Sequence, residues 1–528
     1  MSLYVGLDVG TTAVKALAID EQGRVRAQAS REYAYYTPQA GWAEQDAEDW
    51  WRLTCECVRE VVSHCGAGAG TPPSPSGNPE AIAQVTAGGV RAPALQADIV
   101  ALAISTQGDT MVPLDASGAP LSPAITWMDT RTLDQVASMR EEEELWFGIT
   151  GTTPAPFAAA TSLLWWREHQ PQVFAQAQRF ALVADFIVGR LTGRYVLDAP
   201  NASRTMIYDI QRRDWSEELL QRVGVGRERL AETAESGTVV GTLLPKVAAE
   251  LGLSTETQVV LGGHDQTCAA VGCGVIKPGS LLLSCGTAWV VLAATEKPLH
   301  DDQRSLQGYC HAVPGGYAAL GAFAGGNLLK WFRDNFWEEW RLNPGPSGDE
   351  VYEAITAEAA EALAAGRPPL IFLSHFYGTF GPVCCAQARG AWAGLTLQHT
   401  RGDMALALLE GVALQTAWAV QNLARQGAST DDIRMIGGGS RSRFWTQLVA
   451  NALQTPINLP RVTEAAAYGA ALIAATAAGA FPSLEQACGM VSIESRVEPM
   501  REANPQALER RKALLEALVP VWEELQGI

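Results

Sequence analysis

YVGLDVGTTAVKALAID, residues 4–20, is the stretch of sequence that decides the fold. An apolar run leads to Asp8, a Gly-Thr-Thr turn follows at residues 10–12, and a second apolar run carries Lys15. Two apolar runs around a short polar turn predict the two strands of a hairpin. A glycine and two threonines at a hairpin tip present backbone N–H groups and hydroxyls to one concavity, which is the chemistry that a phosphate group requires.

The same pattern returns as LLLSCGTAWVVLAA at residues 281–294. With an offset of 276 residues the two stretches match at Leu7/Leu283, Gly10/Gly286, Thr11/Thr287, Val14/Val290 and Ala18/Ala294. A single Gly-Thr turn usually does no more than reverse the chain. Two such turns at equivalent places indicate duplicated halves that hold a nucleotide between them.

The length and composition are typical of a large globular enzyme. At 528 residues the chain is too long for one core, and we expect two to four domains. Its 47% hydrophobic and 18% charged residues argue against extensive disorder. The 39 basic and 57 acidic residues give a net charge of −18, which argues against a nucleic-acid partner.

The sequence predicts neither a membrane anchor nor a metal cluster of histidines and cysteines. No stretch reaches the roughly 18 consecutive apolar residues that a membrane-spanning helix requires. The apolar start is interrupted by Asp8 and Lys15, so it is not read as a signal peptide. The ten cysteines and seven histidines are dispersed and fit no zinc spacing. We therefore expect reduced thiols in a cytoplasmic protein with no membrane partner.

Strand and helix signals alternate along the chain and predict an α/β protein. Predicted helices include Gln45 to Val62, Phe180 to Leu191 and Gly402 to Gln426, and predicted buried strands include Ile99 to Ser105, the run from Val259 and the run from Ile433. The Gly-, Pro- and Ser-rich stretch 66–97 is interpreted as a surface insertion. The Lys-Pro-Gly at 277–279 marks a boundary, so we predict domains at 1–276 and 277–528.

The candidate functional residues converge on phosphoryl transfer. The sequence contains no Gly-x-x-x-x-Gly-Lys-Ser/Thr loop and no His-Arg-Asp or Asp-Phe-Gly signature, so it is neither a P-loop enzyme nor a protein kinase. Asp265 ends a buried strand, where α/β sheets bind ligands, and is a candidate general base; the alternative is a helix N-cap. The triple glycine at 437–439 lets a nucleotide approach the backbone, the alternative being a tight strand–helix turn.

A series of motifs in a fixed order covers nearly the whole chain. They are GLDVGTT (6–12), GWAEQD (41–46), PAITWMDTR (123–131), LTG (191–193), NAS (201–203), GGHD (262–265), SCGT (284–287), ARG (388–390), GLT (394–396), EGV (410–412) and GGGS (437–440). On these motifs the chain resembles the FGGY family of carbohydrate kinases, and within it the xylulokinases. The resemblance implies an α/β fold of two actin/hexokinase-like (ribonuclease H-like) domains with a cleft between them, the first binding the sugar and the second ATP.

The resemblance also implies a role for each matched residue. Asp265 would be the catalytic base, and Asp8 would help to place Mg²⁺. The phosphates and the adenosine of ATP would contact Thr11, Thr12, Lys15, Gly286, Thr287, Gly437, Gly438, Gly439 and Ser440. The sugar would lie against Gln107, Asp109, Trp127, Asp129 and Gln266.

Substrate choice is where the sequence departs from the family pattern. Where this chain has Gly108-Asp109, xylulokinases usually carry Met-His and glycerol kinases carry Arg-Glu. Asp265-Gln266 resembles the glycerol kinase and fuculokinase versions, whereas many xylulokinases have Asp-Asn there. The acid is therefore kept at position 109, but the arginine that precedes it in glycerol kinases is absent.

We expect ATP- and Mg²⁺-dependent phosphorylation of a sugar hydroxyl, with a ketopentose such as D-xylulose as the first candidate. One alternative is a kinase of another ketose or of a polyol such as erythritol or glycerol. A second is a sensor of the same fold that binds sugar and nucleotide with little catalysis. The expected partners are the sugar and ATP, and the sequence is compatible with a homodimer.

Overall fold

The computed structural model describes residues 1–528 apart from 67–97, 300–303, 305, 339, 341–348, 377, 381–383, 386, 503 and 525–528. The insertion predicted at 66–97 lies outside the described residues except for Gly66, which ends the first long helix. The described residues contain both mixed sheets and many helices, so the predicted α/β class is confirmed.

The first half of the chain alternates strands and helices up to residue 274. Its strands are β1 (Ser2–Val9), β2 (Ala13–Asp20), β3 (Val25–Glu32), β4 (Glu44–Gln45), β5 (Asp98–Thr106), β6 (Met111–Leu114), β7 (Ala124–Ile125), β8 (Arg179–Leu182), β9 (Val196–Asp198), β10 (Tyr208–Asp209), β11 (Asp214–Trp215), β12 (Glu232–Ala234), β13 (Val239–Thr242) and β14 (Gln258–His264). Its helices are α1 (Ala47–Gly66), α2 (Leu133–Arg140), α3 (Glu143–Thr150), α4 (Ala159–His169), α5 (Pro171–Gln176), α6 (Val183–Thr192), α7 (Ala199–Arg204), α8 (Glu217–Val223), α9 (Pro245–Leu251) and α10 (Asp265–Gly272).

The second half begins with the second predicted hairpin. Its strands are β15 (Gly279–Cys285), β16 (Ala288–Thr295), β17 (Gln307–Cys310), β18 (Tyr317–Ala324), β19 (Ile371–Leu373), β20 (Thr379–Phe380), β21 (Cys384–Cys385), β22 (Ala391–Ala393), β23 (Thr430–Ile436), β24 (Ile457–Pro460) and β25 (Ile493–Val497). Its helices are α11 (Gly326–Phe336), α12 (Asp349–Ala365), α13 (Arg401–Arg425), α14 (Arg443–Leu453), α15 (Ala465–Ala477), α16 (Leu484–Cys488) and α17 (Pro505–Glu524).

The chain forms two compact units. The first unit comprises Met1–Gly274, Cys310–Gly315 and Glu464–Val491, and the second comprises Val275–Tyr309, Gly316–Thr463 and Ser492–Ile528. The predicted division into 1–276 and 277–528 stays a prediction about family domains. The compact units differ from it because two later segments, 310–315 and 464–491, return to the first unit.

The sheet of the first unit has the strand order β13-β14-β5-β1-β2-β3. β1 and β2 form the predicted antiparallel hairpin, with Asp8 opposite Lys15. β5 lies between β1 and β14 and runs parallel to both. Its residues are almost entirely buried, as expected for a strand covered on both faces.

The sheet of the second unit repeats this arrangement around the second hairpin. Its order is β17-β18-β16-β15-β23-β24-β25, and β15 pairs antiparallel with β16 as predicted. β23 lies parallel to β15 on the side away from the hairpin, as β5 lies beside β1. Strands β18, β16, β15, β23 and β24 therefore repeat the neighbour relations of β3, β2, β1, β5 and β14. The duplication inferred from the paired motifs is present in the topology of the two sheets.

Glycines attach α15 to the first unit. A Cβ atom on Gly6 of β1 would lie 1.8 Å from the carbonyl oxygen of Ala467. A Cβ on Gly469 would lie 1.9 Å from the carbonyl oxygen of Cys268 in α10, and one on Gly272 would lie 2.1 Å from that of Ala465. Only residues without a side chain allow backbones to approach this closely. This close packing is why the segment 464–491 belongs to the first unit.

Helix α13 is long and apolar enough to cross a membrane by length and composition. It is the one such helix among the described residues, and 72% of its most apolar 18-residue window is buried in the structure. Leu408, Leu409 and Val412 pack in the hydrophobic core of the second unit with Leu283 of β15. A core helix of a globular domain passes the same test.

Candidate active site

Three parallel strands of the first unit end side by side and carry the candidate residues. In the register of β1 and β5, Asp8 pairs with Ser105, and in the register of β5 and β14, Gly263 pairs with the same Ser105. Asp265 follows two residues after Gly263 and opens α10. The carboxyl ends of parallel strands are where α/β sheets bind ligands. The two carboxylates singled out in the sequence are thus brought to one edge of the sheet.

Asp8 carries a carboxylate with an elevated proton affinity. Burial and the nearby charge of Asp265 together raise its pKa to about 7, against the lowering effects of the Lys15 charge and the Ser105 hydrogen bond. Its Oδ1 accepts a hydrogen bond of 3.1 Å from the hydroxyl of Ser105. Ser105 was not singled out from sequence, because a serine within a buried strand carries no distinctive signal.

The carboxylate of Asp265 is accessible to a ligand and has a raised pKa. Its side chain is 31% exposed, so a ligand can reach it. Burial of the carboxyl group raises its pKa to about 6, opposed by the backbone N–H of Gln266 and by the charge of Arg204. The N-cap of α10 is His264, whose Nδ1 accepts from the Gln266 N–H at 3.2 Å. Asp265 is the first helical residue, and its Oδ1 accepts from the same N–H at 2.6 Å.

Lys15 pairs with a residue from the other end of the chain. Its Nζ lies 2.6 Å from Oε2 of Glu464, which directly precedes α15, and both side chains are about one-third exposed. This bond and the charges of Glu464 and Asp8 outweigh burial and raise the pKa of Lys15. The ammonium group is therefore charged and anchored beside Asp8. Glu464 was missed from sequence, because no local pattern links positions 449 residues apart.

The tip of the first hairpin is accessible and fixed by two side chains. Thr12 is exposed and Thr11 is partly buried. The indole N–H of Trp127 donates to the hydroxyl of Thr11 at 2.9 Å, and the amide of Gln45 donates to the Thr11 carbonyl at 2.6 Å. Trp127 itself is 43% exposed. Thr11, predicted to contact phosphate, and Trp127, predicted to contact the sugar, are thus in direct contact.

Two of the predicted sugar residues, Gln107 and Asp109, are buried, and Gln266 is partly buried with an inaccessible Oε1 atom. Gln107 is 2% exposed and donates to Oε1 of Gln45 at 2.8 Å. Asp109 is 3% exposed, and its Oδ1 has no hydrogen-bond partner among the described residues. Oε1 of Gln266 also lacks one. Because buried polar atoms are nearly always paired, these two acceptors indicate a ligand that donates hydrogen bonds.

Asp129 differs from the other predicted sugar residues because its own chain occupies its oxygens. Oδ2 accepts from the Ala43 N–H at 2.6 Å, and the Arg131 guanidinium pairs with the same carboxylate at 2.7 Å. The Arg131 guanidinium lies 3.5 Å from the ring centre of Trp42. A direct contact between Asp129 and a sugar stays a prediction. The observed contacts join the motifs at 41–46 and 123–131.

In the second unit, the hairpin tip meets the start of a helix. Gly286 and Thr287 are exposed, and their carbonyls accept from the backbone N–H groups of Gly326 and Asn327 at 3.2 and 3.0 Å. Helix α11 therefore begins at the turn. Its first three backbone N–H groups already donate to the carbonyls of Gly286, Thr287 and Gly325, so its attraction for an anion rests on the helix dipole. Gly326 was missed from sequence, although two glycines before an amphipathic helix were a usable signal.

The triple glycine lies beside the second hairpin in the same unit. β15 and β23 are parallel, with Ser284 opposite Ile436, so Gly437 follows next to Cys285. Gly437 has a φ of 91°, and a Cβ there would lie 2.8 Å from the Cys285 carbonyl. The Ser440 hydroxyl donates to the Gly437 carbonyl at 2.8 Å, closing a turn before α14. The tight-turn alternative thus applies, and the exposed Gly438 still leaves backbone accessible to a nucleotide.

Replacing Gly326 with alanine is expected to weaken ATP binding. The new Cβ would lie 2.4 Å from the Gly286 carbonyl oxygen and would push the hairpin tip away from α11. A displacement of about 1 Å can lower a reaction rate by up to about 100-fold. We expect an effect of similar size on nucleotide binding, so that the Kd for ATP rises about 10- to 100-fold. Calorimetric titration measures it. Gly321→Ala is the matched control, since its Cβ meets one side-chain atom at an ordinary 3.5 Å. An unchanged Kd in Gly326→Ala would remove this turn from the ATP site.

A divalent cation fits the chemistry around Asp8. No group of three or more His, Cys, Asp or Glu side chains in the described part of the chain could enclose a metal ion. Mg²⁺ in phosphoryl-transfer sites is held by one or two carboxylates together with phosphate oxygens and water. Asp8, whose pKa is raised by burial and by Asp265, is a carboxylate that such a cation would stabilise in its ionised form.

Comparisons with known proteins place the chain in a family. The sequence description of the FGGY family of carbohydrate kinases, N-terminal domain, matches residues 3–272, and that of the C-terminal domain matches residues 281–478. The chain belongs to the FGGY family of carbohydrate kinases. As a member of that family it is a sugar kinase with ATP as the phosphate donor.

Individual relatives span nearly the full length of this carbohydrate kinase. A xylulose kinase from Bacillus subtilis (strain 168) is 29% identical over 492 residues, covering 92% of this chain and 90% of the relative. A glycerol kinase from Bordetella parapertussis is 29% identical over 525 residues, with 95% of each chain covered. The crystal structure of xylulose kinase from Rhodospirillum rubrum superposes with a TM-score of 0.86 at 28% identity, covering 99% of this chain and 100% of that one.

Proposed function

We propose that this carbohydrate kinase phosphorylates a hydroxyl group of a ketopentose such as D-xylulose, with Asp265 as the general base. The observation that carries the proposal is the position of Asp265, an accessible carboxylate that directly follows β14. Beside it lies Oε1 of Gln266, an acceptor with no hydrogen-bond partner in the part of the chain that the structure describes. The xylulose kinases among its relatives support the substrate class.

In the proposed step, a sugar hydroxyl oxygen attacks the γ-phosphorus of ATP and its proton passes to Asp265. The bond from that phosphorus to the β–γ bridging oxygen breaks, and ADP leaves with the electron pair. A base works best when its pKa lies near the working pH, and burial brings the pKa of Asp265 to about 6. The side chain is then ionised at neutral pH but has a higher proton affinity than an exposed aspartate.

Each unit carries its own residues that we assign to phosphate binding. In the first unit, Thr11, Thr12 and the Lys15 ammonium contact the transferred phosphoryl group. In the second unit, Gly286, Thr287 and the start of α11 hold the ATP phosphates, and the stretch 437–440 contacts the adenosine. Asp8 would hold Mg²⁺, which when bound neutralises charge on the phosphate oxygens.

A coupled assay of ADP release with a panel of acceptors tests the function. The panel contains D-xylulose, D-ribulose, erythritol, glycerol and D-gluconate. We expect ADP release that depends on a ketopentose. EDTA should abolish this release, because the charge on the phosphate oxygens must be neutralised by a cation and Asp8 is the single protein carboxylate proposed to hold it.

Other outcomes of this assay separate the alternatives. ADP release with erythritol or glycerol alone would keep the kinase assignment and reject a ketopentose. Sugar binding measured by calorimetry without any sugar-dependent ADP release would instead support the sensor. ATP hydrolysis that is as fast without any sugar as with one would reject the proposal that a sugar accepts the phosphoryl group.

We also infer that the protein acts in the cytoplasm. None of the nine cysteines whose side chains are described forms a disulfide bond, in keeping with a reducing compartment. Its donor, ATP, is available there. Assembly into a homodimer stays a prediction.

A further inference from the structure

Arg204, the last residue of α7, forms a buried ion pair with Asp109 in the first unit. Its Nη2 and Nε donate to Oδ2 of Asp109 at 2.9 and 3.2 Å. Only 11% of the Arg204 side chain and 2% of the Asp109 side chain are exposed. The ring of Phe157 lies 5.2 Å from the guanidinium carbon. A carboxylate and an aromatic ring thus hold the guanidinium in place.

The backbone beside Asp109 is shaped for this arrangement. A Cβ at Gly108 would lie 2.6 Å from Cδ2 of His264 and 3.8 Å from Cγ of Arg204, so the space of a side chain at 108 is already filled. Asp109 has a φ of 62°, in the left-handed region that residues other than glycine rarely adopt. Strained backbone of this kind is typical of ligand-binding sites.

One oxygen of Asp109 is left for a ligand. Oδ2 accepts from Arg204, whereas Oδ1 is buried without a donor in the described part of the structure. Oε1 of Gln266, next to the proposed base, is also buried and has no donor in the described part of the structure. Both atoms are acceptors, so their missing partners are donors. A sugar hydroxyl supplies a donor, and a carboxylate does not.

We propose that Arg204 is a specificity-determining positioning residue: by fixing Oδ2 of Asp109 it directs Oδ1 toward a sugar hydroxyl and makes the subsite selective for neutral polyhydroxy acceptors over sugar acids. This inference rests on the proposed function and names the substrate class of the same site. Asp109 and Asp265 together carry one more negative charge than Arg204 neutralises. A carboxylate on the ligand would therefore meet like charge in a partly desolvated site.

Kinetics of the wild type, Arg204→Met and Arg204→Lys test the assignment with D-xylulose, erythritol and D-gluconate. We expect Arg204→Met to raise the KM for the neutral acceptor about 10- to 100-fold, because removing one partner of a buried pair disturbs the other. The KM for ATP is expected to stay unchanged. Arg204→Lys should recover part of the loss, since an ammonium group restores the charge but not the two-point geometry. Wild-type turnover of D-gluconate should lie about tenfold or more below that of the neutral acceptor.

A double variant and a matched control separate positioning from a general effect on folding. If Arg204 acts through Asp109, the effects of Arg204→Met and Asp109→Asn on the Kd for D-xylulose are less than additive. Arg222→Met is the control, because Arg222 pairs with the exposed Glu142 and should leave all constants unchanged. Thermal unfolding identifies any variant that fails to fold, and Arg204→Lys then carries the test.

Two results would overturn the inference while leaving the kinase intact. One is an unchanged KM for the neutral acceptor in folded Arg204→Met or Arg204→Lys, and the other is a wild-type preference for D-gluconate. If the wild type forms no ADP with any acceptor, the proposed function fails instead. Titration of the sugar in the absence of ATP then still decides whether Arg204 determines sugar binding.

Discussion

Replacing Asp265 with asparagine lowers kcat by about 10²- to 10⁴-fold, the range that a positioned general base contributes. The asparagine oxygen can still accept the Gln266 N–H that now bonds to Oδ1 at 2.6 Å, so the start of α10 should keep its geometry. The amide cannot accept the proton of the attacking hydroxyl. We therefore expect the Kd for the sugar to change little while turnover is almost lost, as measured by calorimetry and coupled ADP release.

The control for this variant is Asp134→Asn, on the exposed face of the first turn of α2. It removes a carboxylate of the same unit without touching the strand ends, and its kcat should equal that of the wild type. Retained turnover in Asp265→Asn would reject Asp265 as the base. Loss of sugar binding together with kcat would make Asp265 a binding residue rather than a proton acceptor.

Replacing Gly469 with alanine destabilises the first unit by about 3 kcal/mol or more, at the upper end of the range for overpacked cores. The added Cβ would lie 1.9 Å from the carbonyl oxygen of Cys268 and 2.7 Å from the N atom of Gly272. Both obstacles are backbone atoms of α10, so a rotamer change cannot relieve the clash. Urea unfolding followed by tryptophan fluorescence measures the loss.

Gly148→Ala is the matched control for this variant. Gly148 lies within helix α3, and a Cβ there has no atom within 4 Å. Because alanine favours helices, this change should leave stability unchanged or raise it by up to about 1 kcal/mol. Equal midpoints for Gly469→Ala and the wild type would show that α10 and α15 can separate without cost, contrary to the close packing described above.

Local signals in the sequence were sufficient for the hairpins and for the strand ends that carry Asp8 and Asp265. Each is a short apolar run that ends at a glycine or a polar turn, and such runs depend on neighbours in sequence. Partners from distant parts of the chain could not be predicted in this way. Glu464 beside Lys15 and Arg204 beside Asp109 result from packing of separate elements, which one sequence does not record.

The predicted helix from Phe180 to Leu191 was correct only in its second part. Phe180 to Leu182 belong to strand β8, and α6 begins at Val183. A continuous apolar run fits a buried strand and a buried helix equally well. The change occurs where the Leu182 N–H donates to the side chain of Asp185 at 2.7 Å, a capping contact that starts the helix.

The departure at Gly108-Asp109 also has a physical explanation in the structure. The sequence showed an acid without the arginine that precedes it in glycerol kinases. In this chain an arginine reaches the acid from α7, 95 residues further along, and the ring of His264 fills the space beside Gly108. An arginine therefore pairs with the acid at position 109, although no arginine precedes that acid in the sequence.

The return of residues 464–491 to the first unit has a consequence for how the chain is made. Domains usually fold in turn as the ribosome releases them. Here Gly6 and Gly272 pack against helix α15, which is translated only after most of the second unit. The first unit therefore cannot be complete until most of the chain has been synthesised. A gene fragment that ends at residue 276 would encode the first sheet without helix α15, which packs against it.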